Sequence, residues 1–111
     1  MTFLQDQLAD SLTDAPEKLH SARVLLLAKE NDFQSAENEL KDEVARLLIT
    51  GLAGKNAEER AANLRICTDV LRDAVTIAGR ERAKARLELE RRQDEFSALK
   101  ALARLCGQDA S

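Results

Sequence analysis

An apolar side chain recurs every seven residues through most of the first half of the chain. The repeating position holds Leu19, Leu26, Phe33, Leu40 and Leu47. Seven residues make two helical turns, so these side chains return to one face, and a strict seven-residue period is typical of one seam of a coiled coil. The companion position alternates alanine with charge: Ala22, Lys29, Ala36 and Glu43. The pattern therefore predicts a long helix with one continuous packing face.

The composition indicates that the rest of the chain is helical too. Its 111 residues include one proline, four glycines and neither tryptophan nor tyrosine, and a third of them are charged. Strands favour aromatic and β-branched residues, whereas this chain is rich in Ala, Leu, Glu, Arg and Lys. We expect an all-α fold and, because of the length, a single helical domain over residues 1–111.

Capping signals divide this domain into three predicted helices, at about residues 2–13, 15–50 and 56–106. The first division rests on Asp14 and Glu17, which resemble a cap pair around Pro16, since proline is tolerated in a first helical turn and not in a helix interior. These elements predict a long antiparallel helical hairpin, with the short first helix lying on the overhang of the last. Its Leu4, Leu8 and Leu12 would lie near Phe96, Leu99 and Ala103. We expect the hairpin to assemble into a helical bundle.

The stretch TGLAGKNAEER at residues 50–60 is predicted to be the hairpin turn, over residues 51–55. A phosphate-binding loop would need four residues between its glycines and a hydroxyl residue after its lysine. Gly51 and Gly54 have two residues between them, and Asn56 follows the lysine. A turn accounts for the same residues, with Gly51 ending one helix, Asn56 capping the next and Glu59 completing a capping box.

The last predicted helix carries a stripe of apolar residues that alternates spacings of three and four. The stripe consists of Ala61, Leu64, Leu71, Val75, Ala78, Ala85, Leu89, Phe96, Leu99 and Ala103, interrupted by Thr68, Arg82 and Arg92. If the turn is centred near Ala53, Phe33 faces the neighbourhood of Val75. Gly79 in mid-helix predicts either a close approach of the other helix or a bend.

Apolar residues outside this seam indicate self-association. The candidate self-association residues are Val24, Leu25, Leu27, Ile66, Val70, Ala74 and Ile77. Two helices bury only one seam, so these residues would lie partly in water in a lone hairpin. Antiparallel pairing places VLLLA, residues 24–28, at nearly the same height as Ile77 and Ala78. We expect a homo-oligomer, with a dimer favoured and any other protein partner unidentified. The alternative is that the short first helix folds back over this surface.

A basic segment at residues 79–92 offers a second candidate surface. The candidate nucleic-acid contacts are Arg80, Lys84, Arg86 and Arg91. Such side chains can neutralise phosphates, but Glu81 and Glu88 can pair along the same helix, and no aromatic residue is present to stack on bases. We therefore favour a solvated charged face over a nucleic-acid site.

No constellation in the sequence predicts catalysis. Glu17 and His20 have the Glu-x-x-His spacing of di-iron bundles, but such a site needs a second motif and further carboxylates. Cys67 and Cys106 are predicted to be small buried thiols. We expect no catalytic residue, no cofactor and no metal, and so not an enzyme.

The charge and hydropathy predict a soluble cytoplasmic protein. The net charge is −3, with both signs interspersed. The longest apolar run, VLLLA at residues 24–28, is much shorter than the roughly 20 residues that span a bilayer. We expect no membrane contact.

The stretch from GKNAEER to FSALKALARL, roughly residues 50–106, resembles small coiled-coil proteins encoded in phage and prophage genomes. In those proteins a GKN-x-E-x-R turn precedes a long helix that ends in an aromatic residue, a leucine-rich stretch and a basic residue. The resemblance implies an accessory role beside recombination or replication genes and brings no functional residue with it. Together these observations predict a non-enzymatic helical hairpin that acts through self-association and protein–protein interaction. The alternative is an accessory nucleic-acid-binding factor.

Overall fold

A computed structural model of the protein describes residues 3–107, which are almost entirely helical. Helix α1 is Phe3–Thr50, α2 is Ala57–Cys67 and α3 is Asp69–Leu105, and no strand occurs within this range. The predicted all-α helical-hairpin class is confirmed. The helices divide into two compact units: unit 1 combines residues 3–28 with residues 83–107, and unit 2 comprises residues 29–82.

Unit 2 is a helical hairpin, and its connection is a turn of the predicted kind. Gly51 follows the last residue of α1 with a φ of 89°, the left-handed conformation that ends helices. Asn56 caps α2, since its Oδ1 accepts a hydrogen bond from the Glu59 amide at 2.9 Å. The Glu59 carboxylate accepts from the Lys55 amide at 2.7 Å, one residue earlier than a standard capping box places it. A backbone amide that would bind phosphate in a nucleotide loop is thus occupied by a carboxylate.

Gly54 is the residue of this turn that no side chain can replace without a rearrangement. Its φ is 148°, and a Cβ at this position would lie 2.8 Å from the Arg60 amide nitrogen. The Asn63 side-chain amide donates to the Ala53 carbonyl and ties the loop to α2.

The seam of unit 2 follows the predicted spacing. On α1 the half-buried seam residues are Lys29, Phe33, Ala36, Leu40, Glu43, Val44 and Leu47. Opposite them lie buried or half-buried Leu64, Thr68, Leu71, Val75, Ala78 and Arg82, whereas Ala61 at the start of the predicted stripe is exposed. The register differs from the predicted one, because the ring of Phe33 packs against Gly79 and under Arg82, one to two turns beyond Val75.

The prediction of one continuous helix over residues 56–106 is wrong, because Thr68 interrupts it. Thr68 is 2% exposed, and its hydroxyl donates to the Leu64 carbonyl at 2.8 Å. The carbonyls of the last turn of a helix have no backbone donor of their own. At the end of α2 the Arg72 guanidinium donates to one of them, the Arg65 carbonyl, at 2.5 Å. The sequence predicts Thr68 as a polar residue within the apolar stripe of one helix. In the structure α2 ends before Thr68 and α3 begins after it.

The predicted short helix at residues 2–13 is also wrong, because α1 runs through Pro16 without a break. Buried Leu8, Ala15 and Ala22 recur at seven-residue spacing across the proline, and Pro16 itself is exposed. Proline in a helix interior costs about 3 kcal/mol, chiefly through one lost hydrogen bond and a clash with the preceding turn. Burial of the seam residues before and after Pro16 stabilises the continuous helix and offsets this cost.

Within unit 1 the first residues of α1 lie beside the end of α3, although Leu4 stays 75% exposed. Leu8 on α1 and Ala85 and Ala103 on α3 are buried. Leu4 and Leu8 line a groove of about 480 Å³ with Leu102.

No helix within residues 3–107 combines the length and apolarity that crossing a membrane requires.

Candidate interaction surfaces

The outer face of unit 2 carries an unusually apolar strip of helix. Ile66, Val70 and Ile77 are 73%, 79% and 58% exposed, and Ala74 between them is exposed as well. We call these four residues the outer stripe. Their spacing of three or four residues places them on one side of the α2–α3 arm, opposite to the seam. These exposures apply with all of residues 3–107 in place.

The apolar run of α1 lies in unit 1 and forms no comparable strip. Val24, Leu25 and Leu27 are 52%, 44% and 59% exposed. Leu25 borders a groove of about 400 Å³, whose other walls are mostly polar: Asp14, Glu17, Lys18, Ser21, Ala22, Glu88 and Arg92. The seven candidate self-association residues therefore fall into two groups that belong to different units.

Residues 3–107 form only a small hydrophobic core. Its buried apolar residues are Leu8, Ala15, Ala22, Ala85 and Ala103, and among residues 3–107 no large side chain is completely buried. Outside the two groups, further large apolar side chains face water: Phe3, Leu4, Leu48, Ile49, Leu87, Leu102 and Leu105. Exposed apolar surface of this extent is typical of proteins that pack against another chain.

Polar residues that interrupt the seams are each provided with a partner. Arg82 in unit 2 places its guanidinium 4.0 Å from the centroid of the Phe33 ring, within cation–π range. Arg92 in unit 1 donates to Glu88 at 2.9 Å and to Glu95 at 3.2 Å. These contacts let charged residues occupy seam positions, where their methylene stems also pack.

Two carboxylates are strongly engaged by arginines on the same helix. Glu88 accepts from Arg91 at 2.9 and 3.1 Å, and this hydrogen bonding holds the pKa of Glu88 below its ordinary value. Glu43 accepts from Arg46, with one of the two contacts at 3.0 Å, and its pKa is lowered for the same reason. Both pairs lie on the surface, where salt screens them.

The candidate nucleic-acid residues are divided between the two units. Arg80, Lys84, Arg86 and Arg91 are all exposed, but Arg80 belongs to unit 2 and the other three to unit 1. Arg91 is held by Glu88, which raises the pKa of the guanidinium. Because Glu88 also accepts from Arg92, one carboxylate offsets part of the positive charge of two arginines.

The structure gives no positive sign of a metal centre or a reactive thiol pair. Within residues 3–107 no three His, Cys, Asp or Glu side chains come together as metal ligands would, and His20 is exposed. Cys67 and Cys106 are free and exposed, so the prediction that both are buried is wrong. Cys67 is exposed directly before buried Thr68, and Cys106 follows the last buried seam residue, Ala103.

Comparison of the chain with protein-family models, with curated proteins and with solved structures finds no match.

Proposed function

We propose that this protein is a non-enzymatic helical hairpin that self-associates and presents helical faces to a protein partner. The observation that supports this function is the outer stripe, in which three large aliphatic side chains lie in water on one face of a well-formed helical arm. A phage-derived origin and a cytoplasmic location belong to the same proposal.

The energetics of the outer stripe favour a dimer that depends on concentration. Full burial of a Val or Ile side chain is worth about 1.5–3 kcal/mol, so six such side chains from two copies contribute on the order of 10 kcal/mol. Association costs about 4–15 kcal/mol in lost translational and rotational freedom. Because these terms are similar, we expect monomers at low protein concentration and dimers at high concentration.

A role in binding nucleic acid has less support. The pairing of Glu88 with Arg91 sets a carboxylate beside one of its four candidate contacts, which weakens the attraction of that arginine for phosphate. The basic residues also lie among acidic ones, which lowers their attraction for a phosphate backbone.

Light scattering after size exclusion, over a series of protein concentrations, tests the proposed function. We expect the mass of the wild-type protein to rise towards that of a dimer and the mass of Ile77→Asp to stay that of a monomer. Ser35→Asp, an exposed position on α1 of the same unit, is the matched control and should behave as the wild type does. An unchanged mass for Ile77→Asp would remove the outer stripe from the interface, and a wild-type monomer at every concentration would refute self-association.

A further inference from the structure

Two charged residues flank Ile77 on the outer face of α3 and have no partner within the described chain. Asp73 precedes Ile77 by four residues and Arg80 follows it by three. Both are exposed, and neither side chain takes part in an ion pair or hydrogen bond within residues 3–107. Their neighbours differ in this respect, since Asp69 pairs with Arg72 at 3.5 Å and Arg82 lies over Phe33.

The geometry of the helix explains why Asp73 and Arg80 do not pair with each other. Seven residues separate them, which is about 10.5 Å along the helix axis at 1.5 Å per residue. An ion pair needs a distance of about 4 Å. Seven residues are also close to two full turns, so the two side chains point to the same side of the helix as Ile77.

We propose that a second copy of this chain docks antiparallel on this face, with the two-fold axis beside Ile77. In that arrangement Asp73 of each copy faces Arg80 of the other, and the two Ile77 side chains pack together at the axis. A two-fold interface is self-complementary, so one kind of contact occurs twice. This inference rests on the proposed self-association and adds the occupant, the orientation and the register.

The charge pattern favours a second copy in this orientation over a parallel one. A segment with a negative charge before its apolar centre and a positive charge after it is complementary to its own reversed copy. A parallel pair in register would instead set Asp73 against Asp73 and Arg80 against Arg80, which is destabilising. Such flanking charges determine partner and orientation in coiled coils more than they determine affinity.

Charge reversal tests the proposed pairing. Asp73→Arg alone gives four facing arginines, and Arg80→Asp alone gives four facing aspartates, so each variant should dimerise on the order of tenfold more weakly than the wild type. An equimolar mixture should form a heterodimer of near wild-type affinity, because every facing pair then has opposite charge. Sedimentation velocity at low salt measures all three samples, and circular dichroism shows whether each variant is folded.

Cysteine pairs then separate the two orientations. In a Cys67→Ser, Cys106→Ser background, chains with Asp73→Cys mixed with chains with Arg80→Cys should form a disulfide-linked heterodimer under mild oxidation. Asp73→Cys alone should not cross-link, whereas a parallel dimer would give the opposite result. If Ile77→Asp abolishes the dimer while charge reversal has no effect, or if the homodimeric cross-link forms, the antiparallel register is refuted and self-association stands. A wild-type monomer refutes both.

Discussion

The guanidinium of Arg82 lies over the ring of Phe33, 4.0 Å from its centroid, and a Cβ on Gly79 would lie 3.3 Å from the same ring. The Phe33 ring thus contacts two consecutive turns of α3. Gly79 leaves room for the ring, and the Arg82 guanidinium lies over its face. The position of this ring sets the register of the unit 2 hairpin, which the repeat alone leaves open.

Gly79→Ala should reveal this contact through its dependence on Phe33. Alanine is better than glycine in a helix interior by roughly 1 kcal/mol, but its Cβ would press on the ring. We expect the substitution to change the unfolding free energy by less than about 0.5 kcal/mol in the wild type and to stabilise Phe33→Ala by about 1 kcal/mol. Urea denaturation of the four proteins in this double-mutant cycle measures the difference, and equal gains in both backgrounds would mean that the ring does not contact residue 79.

Arg82→Met should destabilise unit 2 by about 0.5–1 kcal/mol. Methionine keeps most of the aliphatic packing of the arginine stem and removes the cation above the ring. Arg86→Met is the control, since Arg86 is exposed on the same helix away from the seam. A lower urea midpoint for Arg82→Met than for Arg86→Met is the expected result, and the difference should vanish when Phe33 is replaced by leucine.

Pro16→Ala should stabilise the protein, by up to about 3 kcal/mol. Pro16 is exposed in the interior of α1, so alanine restores a backbone donor and removes a clash while the seam stays intact. Had Pro16 occupied the first turn of a separate helix, the same change would be nearly neutral. Thermal unfolding followed by circular dichroism distinguishes the two, and an unchanged or lower Tm would contradict a continuous α1.

The outcome at Pro16 shows how much of this fold the sequence predicts. On α3 the residues predicted from the spacing of three and four are all buried or half-buried. The spacing suffices for this prediction because the apolar side chains determine which face of the helix packs. The break between residues 13 and 15 was a wrong inference from a local capping pattern. The apolar spacing continues across the proline at Leu8, Leu12, Ala15 and Leu19. The burial of this seam before and after Pro16 outweighs the local capping pattern.

Other features depend on contacts that spacing does not encode. Thr13 and Thr76 make the same hydroxyl bond as Thr68 inside unbroken helices, so the residue type alone does not predict the break at Thr68. The register follows from the contact of Phe33 with Gly79. The candidate surfaces were accessible to sequence reasoning, since an apolar residue off the seam has nothing to pack on in a two-helix arm. Spacing does not show which charged side chains are paired. Only the side-chain positions show that Asp73 and Arg80 differ in this respect from the charged residues around them.

Acid should weaken the folded state through Glu43 and Glu88. The pKa of each is lowered in the folded protein by its arginine, so each contributes stability above the ordinary glutamate pKa of about 4.3, and this contribution is lost as the pH falls through the lowered value. We expect the urea midpoint to fall between about pH 5 and pH 3, and to fall less in Glu88→Gln, which has no carboxylate to protonate at that position. Glu90→Gln, exposed on the same helix, is the control and should follow the wild type. If Glu88→Gln shows the full wild-type loss at low pH, the pairing with Arg91 contributes nothing to stability in solution.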